Sequence, residues 1–217
     1  ISEDLTTILG HEVLEKKICP TKEYFDDMIN SLADEGLLPS NEIWNLKIEI
    51  EPDLVKEILF PKVFQWADLE DQLIMWKEIA YQEILEFYDY KMSDIKLGYT
   101  IGEKAYLIIN SMVDTYSVSQ SWNLVYYAVK DACEFLVKNG NKPHASNTVL
   151  YNCSKRMERY LQNNWVLTPF KRWSKYCAQS EISIYFFQKI LMIGDNGFNL
   201  KPSYDALVED KTLEELL

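Results

Sequence analysis

Leu69-Glu70-Asp71-Gln72-Leu73-Ile74-Met75-Trp76-Lys77-Glu78-Ile79-Ala80-Tyr81-Gln82-Glu83-Ile84-Leu85-Glu86-Phe87 is the stretch that decides the fold class. Leu69, Leu73, Trp76, Ala80, Ile84 and Phe87 recur at steps of three or four, which gathers them into one stripe of a helix with 3.6 residues per turn. Glu78, Glu83, Glu86 and Asp89 fall elsewhere around it. The pattern sits between Pro61 and Ser93 and predicts a long helix with an apolar face and an acidic, solvated one.

Toward the N-terminus, Thr21 is placed to cap a helix ending near Gly36, with Glu23, Asp26 and Asp27 in its first turns, where the helix dipole favours them. A preceding helix is expected over about Asp4–Lys17. Leu46-Lys47-Ile48-Glu49-Ile50-Glu51 alternates strictly before Pro52 and is the clear strand-period signal. Toward the C-terminus, Thr100-Ile101-Gly102-Glu103 has capping-box spacing ahead of the apolar segment Ala105–Val113. Ser119 is read as the cap of the next helix, whose stripe is Trp122, Val125, Val129, Cys133 and Leu136 and which stops at Asn139-Gly140. Asn141-Lys142-Pro143 reads as a loop. Leu150, Cys153, Met157, Tyr160 and Leu161 carry a further helix, Thr168-Pro169 opens a short one, and a last apolar helix follows Ser180 and ends at Gly194. The expected fold is all-α, an irregular multi-helix bundle or helical array with at most one short strand or hairpin. Trp76, Trp122, Val129, Cys133, Met157 and Phe187 are the expected core.

Composition agrees. Seven glycines and seven prolines in 217 residues are too few for a turn-dense β fold. The four cysteines, Cys19, Cys133, Cys153 and Cys177, are too widely spaced for a zinc knuckle or a dithiol redox site and read as reduced, mostly buried thiols. Ile1–Gly10 lacks the basic start of a secretory signal, and no apolar run approaches the roughly 20 residues that span a bilayer. The expectation is therefore a cytoplasmic chain with no membrane partner. It begins at Ile1 without methionine and stops within Thr212–Leu217, where Thr212 and Glu215 again have capping-box spacing, and so reads as a piece of a longer protein.

Charge is unevenly spread. The chain carries 22 basic and 34 acidic residues, a net charge of −12, which disfavours nucleic acid or anionic membrane as a partner of the whole surface. Yet the window 138–189 holds 9 basic and 2 acidic residues, including all three arginines, Arg156, Arg159 and Arg172. Weak structure near Ser93–Gly98 and this shift divide the chain into an acidic helical part, 1–95, and a part 96–217 containing the basic segment, the two being open to forming one continuous domain. Lys155, Arg156 and Arg159 share a helix flank, and Lys171, Arg172 and Lys175 crowd the next short helix among Phe170, Trp173 and Tyr176. These six residues are the candidate binding strip. Such a strip holds phosphates, with exposed rings stacking bases, or else pairs with acidic groups of a protein or of this chain.

Catalytic chemistry finds little support. Glu83, Glu86 and Asp89 resemble half of a magnesium-binding carboxylate pair of helices, but such a site needs oxygen ligands from a second helix. Glu12/Glu15 and Glu23/Asp26 lie too close together in sequence to make two facing helices. These carboxylates fit the solvated faces of acidic helices. His11 lacks the second histidine of a zinc-protease helix, and His144 beside Pro143 reads as a cap or surface residue. No serine has the strand–turn–helix setting of a nucleophile elbow, and Gly98–Gly102 lacks the length and lysine of a phosphate loop. No cofactor or metal is expected. The leading reading is a helical protein-interaction or regulatory module, its warrant being six tryptophans, fourteen tyrosines and nine phenylalanines, residue types enriched at protein contacts. The alternatives are a nucleic-acid-binding accessory domain using 138–189 and, third, a metal-dependent nucleotide hydrolase on acidic helices.

Overall fold

The computed structural model describes residues 7–8, 17–34, 44–45, 69–98, 102–173, 175 and 177–208. Helices dominate them: α1 (Lys22–Asp34), α2 (Leu69–Asp94), α3 (Glu103–Thr115), α4 (Val118–Asn139), α5 (Lys142–Gln162) and α6 (Glu181–Tyr185), which runs into one π-helical turn (Phe186–Ile190), then the short α7 (Asn196–Asn199). Among the described residues the β structure is a two-residue antiparallel pair, Thr7 opposite Asn45 and Ile8 opposite Trp44. The all-α expectation holds. The pair does correct the helix expected over Asp4–Lys17, which Thr7–Ile8 interrupts; the strand expected at Leu46–Glu51 lies outside the described residues, as does most of that helix.

At 26 residues and 1.5 Å per residue, α2 is about 39 Å long and forms the spine. Every member of its expected stripe is buried or partly buried, but Ile79, Tyr81, Glu83, Leu85 and Tyr88 are buried too. The helix is covered on more than one face, by α3, by α4 and by the segment 165–180. Its rings interlock with those of its neighbours: Phe87 stacks parallel on Trp122 at 4.3 Å, Trp173 meets Phe87 edge-on at 5.5 Å, and Phe187 meets Trp76 at 6.0 Å. Both indoles find acceptors for their N–H, Trp76 donating to the Gly197 carbonyl and Trp122 to that of Glu83, each at 3.1 Å. That satisfies the polar handle a buried tryptophan brings inside. One apolar core runs from Leu73 to Leu207, across the 95/96 division.

Helix ends differ from expectation where side chains had a choice. The cap of α4 is Ser117, two residues before Ser119. Its hydroxyl accepts from the Gln120 N–H while the Gln120 amide reaches back to the Ser117 N–H, a complete capping box, and Ser119 is buried inside the first turn, its hydroxyl 2.9 Å from that of Ser117. α3 starts after Gly102 with no side-chain cap, and Thr100, the cap expected from the sequence, lies outside the described residues. Gly140 takes the left-handed conformation (φ 66°) that ends α4. Instead of a loop, Asn141 then caps α5 at once, accepting from the His144 N–H, with Pro143 in the first turn. So short a connection leaves α4 and α5 antiparallel and packed along their length.

Over the described residues 165–173 the helix expected after Thr168-Pro169 is absent, the chain there having no regular secondary structure. Three hydrogen bonds from the first turns of α4 hold this strap: Gln120 donates to the Leu167 carbonyl (3.1 Å), Asn123 to that of Thr168 (2.9 Å), and the Phe170 N–H to the Ser119 carbonyl (2.9 Å). These tertiary bonds take the backbone groups that a local helix would have used. Trp76, Trp122, Val129, Met157 and Phe187 are buried as expected, whereas Cys133 is only partly buried and Leu161 is exposed.

Candidate functional site

The structure separates the six residues of the basic strip into different environments. Lys155 is exposed, its ammonium 4.8 Å from the Tyr151 ring. Arg156 is half-buried, donating to one Asp131 oxygen through Nε (3.1 Å) and Nη2 (2.7 Å) and lying over Tyr127. Arg159, Lys171 and Lys175 are exposed. Arg172 turns inward. Its two terminal nitrogens each donate to a different Glu83 oxygen at 3.0 Å, and its guanidinium sits 4.2 Å from the Phe198 ring and 5.9 Å from Trp122.

Glu83 was expected on a solvated face, and here the structure corrects the reading: its side chain is 1% exposed. Besides Arg172 it accepts from the Ser183 hydroxyl at 2.9 Å, and Ser183 in turn accepts from Gln179. One turn further, Glu86 is largely covered, both its oxygens 2.6 Å from the Lys17 ammonium, which also donates to the Ala178 carbonyl at 2.7 Å. Burial pushes the Glu86 carboxyl up to about 7. Asp89 and Glu78 remain exposed. Each of the two covered carboxylates of α2 therefore already has a cation from another part of the chain. Among the described residues no group of three His, Cys, Asp or Glu side chains could hold a metal ion. Glu23 and Asp26 lie exposed on α1; His11, Glu12 and Glu15 are outside the described residues.

A second buried cation escaped the sequence reading. Lys91 is 8% exposed, and its ammonium lies 5.4, 5.5 and 5.2 Å from the rings of Tyr90, Tyr126 and Trp173 and 3.1 Å from Asp94. A cation over several ring faces is attracted by their quadrupoles, so Lys91 ties α2 to α4 and to the strap. Its signal in the sequence was present only as a lysine close behind the rings Phe87, Tyr88 and Tyr90.

The cysteines have little chemistry to offer. All four are free thiols, and Cys19, Cys153 and Cys177 are buried. Burial pushes Cys19 up to about 11 and Cys153 and Cys177 to about 12, so their reactive thiolates are scarce at neutral pH. His144 is exposed, its ring 4.8 Å from Phe135.

One surface feature stands out. At the C-terminal end of α5, Asn164 adopts a left-handed conformation (φ 52°) and the chain emerges with Trp165 55% and Val166 87% exposed, beside Leu161 at 55%. Trp165 packs edge-on against Tyr160 at 5.7 Å, and its backbone N–H donates to the Tyr160 carbonyl, so the anchored backbone and the ring contact position the indole while much of it faces water. Neither Trp165 nor Val166 lies on a helical stripe, and periodicity could not find them. Among the described residues no helix is long and apolar enough to cross a membrane. No family model, curated protein or solved structure matches this chain.

Proposed function

We propose that this chain is a helical protein-interaction module that binds a protein partner through the apolar group Leu161, Trp165 and Val166 at the end of α5. The observation that carries the reading is Trp165, a large ring fixed by Tyr160 and left half in water, the arrangement of an interface anchor. The four free thiols fit a reducing, cytoplasmic setting. The nucleic-acid alternative draws less support, because Arg156 and Arg172 are committed to Asp131 and Glu83.

A photo-crosslinking amino acid placed at position 166, in the cells that make the protein, tests the reading. Discrete adducts with another protein are expected at 166, absent with the same group at the exposed Lys130 of α4 and lost when Trp165→Ala is added. No protein adduct at 166, or adducts indifferent to Trp165→Ala, would sink it; tight, salt-sensitive binding of a single-stranded oligonucleotide would favour the alternative.

A further inference from the structure

The Lys91 ammonium occupies a space with the build of a receptor for organic cations. Three rings from three parts of the chain surround it, Tyr90 on α2, Tyr126 on α4 and Trp173 in the strap, and the nitrogen lies over each of them. The Trp173 ring stands steeply to both tyrosines, at 73° to Tyr90 and 66° to Tyr126, its centroid 6.2 Å from each. Walls set at such angles make the corner of a box. The half-exposed Asp94 carboxylate closes another side, 3.1 Å from the ammonium.

The walls have supports other than their occupant. Trp173 packs edge-on against Phe87 at 5.5 Å, Phe87 lies 6.4 Å from Tyr90, and Phe170 lies 5.4 Å from Tyr126. All three cage rings pack against the main core while keeping part of their surface in water. Lys91, by contrast, is a charge on a flexible four-carbon stem, and its partner Asp94 is one helical turn away at the surface. A swing of Lys91 into solvent therefore leaves the ring box standing. A primary ammonium also suits such a lining badly: it is strongly hydrated and carries three N–H donors, for which ring faces are weak acceptors. A quaternary methylammonium has no N–H to satisfy and is drawn to the same faces by the ring quadrupoles.

We propose that Tyr90, Tyr126, Trp173 and Asp94 form a binding site for a quaternary methylammonium group, the chemistry shared by choline and trimethyllysine, with Lys91 as an internal occupant that the ligand displaces. The site is distinct from the group Leu161, Trp165 and Val166 and does not rest on the reading of that group as an interface. Because Lys91 fills the cage in the native chain, the apparent affinity is lowered by the fraction of molecules in which the cage is vacant.

Heteronuclear NMR of the nitrogen-labelled full chain, titrated with choline chloride, follows binding through the Tyr126 amide and the Trp173 indole. Lys91→Ala, which empties the cage, should bind choline at least about tenfold more tightly than wild type. It should also prefer choline at least about tenfold over the neutral isostere in which carbon replaces nitrogen. Adding Trp173→Leu to Lys91→Ala should weaken binding by a similar factor, read at Tyr126. No choline-dependent shift in folded Lys91→Ala, equal binding of the neutral isostere, binding that survives Trp173→Leu, or the same shifts with sodium chloride would each overturn the proposal. Trimethyllysine as its acetylated amide, run beside choline, separates the sources: the tighter ligand tells whether a modified protein side chain or a small molecule is the better fit, and either order supports the site. Should Lys91→Ala fail to fold, the dispersion of its amide spectrum would be lost and the wild-type titration would decide. A shift of the Trp173 indole with choline but not with its isostere would then support the site, and none at high millimolar choline would overturn it.

Discussion

The Arg172 guanidinium and the Glu83 carboxylate, 89 positions apart in sequence, meet through two parallel 3.0 Å hydrogen bonds with the carboxylate 1% exposed. A buried pair of this kind contributes little over a well-packed apolar pair, because desolvating both charges offsets their attraction. What it does is fix register: the strap has one position in which Arg172 finds Glu83 while Gln120 and Asn123 hold its carbonyls.

Arg172→Met should therefore destabilise the chain by about 3–5 kcal/mol, because it strands a buried carboxylate. The double variant Glu83→Met/Arg172→Met should recover much of that loss. Urea unfolding of both variants checks the pair; a single variant within about 0.5 kcal/mol of wild type would mean that Glu83 reaches water.

Gly197→Ala is expected to be costly for its size. A methyl group there would collide with the Phe187 ring, and Phe187 itself packs against Trp76 and Phe186. Overpacking of this kind costs about 1–3 kcal/mol. A thermal midpoint unchanged from wild type would show that the ring has room to move.

Two tryptophans should behave oppositely. Trp76→Ala removes a fully buried ring and the N–H bond to Gly197, a loss of about 3–5 kcal/mol. Trp165→Ala, at an exposed position, should change stability by no more than about 1 kcal/mol while abolishing adducts at position 166. Denaturation of Trp165→Ala with a loss as large as that of Trp76→Ala would make Trp165 a core residue and remove it from the interface.

Oligonucleotide binding near physiological salt is expected to be undetectable by fluorescence anisotropy. With Arg156 and Arg172 in ion pairs, the strip has at most Lys155, Arg159, Lys171 and Lys175 to offer, and even four phosphate contacts give a log–log salt slope of only about −3 at roughly −0.7 per contact. A slope steeper than this would require Arg156 or Arg172 to leave its partner.

The sequence by itself determined the helical class, the long α2 with its stripe from Leu69 to Phe87, the left-handed stop at Gly140 and most of the core tryptophans. These are local properties: a period of 3.6, a glycine after a helix and a side chain's aversion to water act whatever the rest of the chain does. Tertiary structure alone decided the fates of the polar residues. Glu83 and Glu86 looked like members of an acidic face because a single helix has no means of showing how many neighbours cover it. Lengthwise burial of α2 on several faces, legible in retrospect from Ile79, Tyr81, Leu85 and Tyr88 outside the stripe, is what drew Glu83 inside and required Arg172 to follow. The strap 165–173 has a helix-opening Thr168-Pro169, but the side chains of Gln120 and Asn123, more than forty positions earlier, bond its carbonyls in a non-helical form. No window of local sequence contains both partners, so the register of the strap, the loss of two arginines from the basic strip and the exposure of Trp165 were settled only when distant segments met.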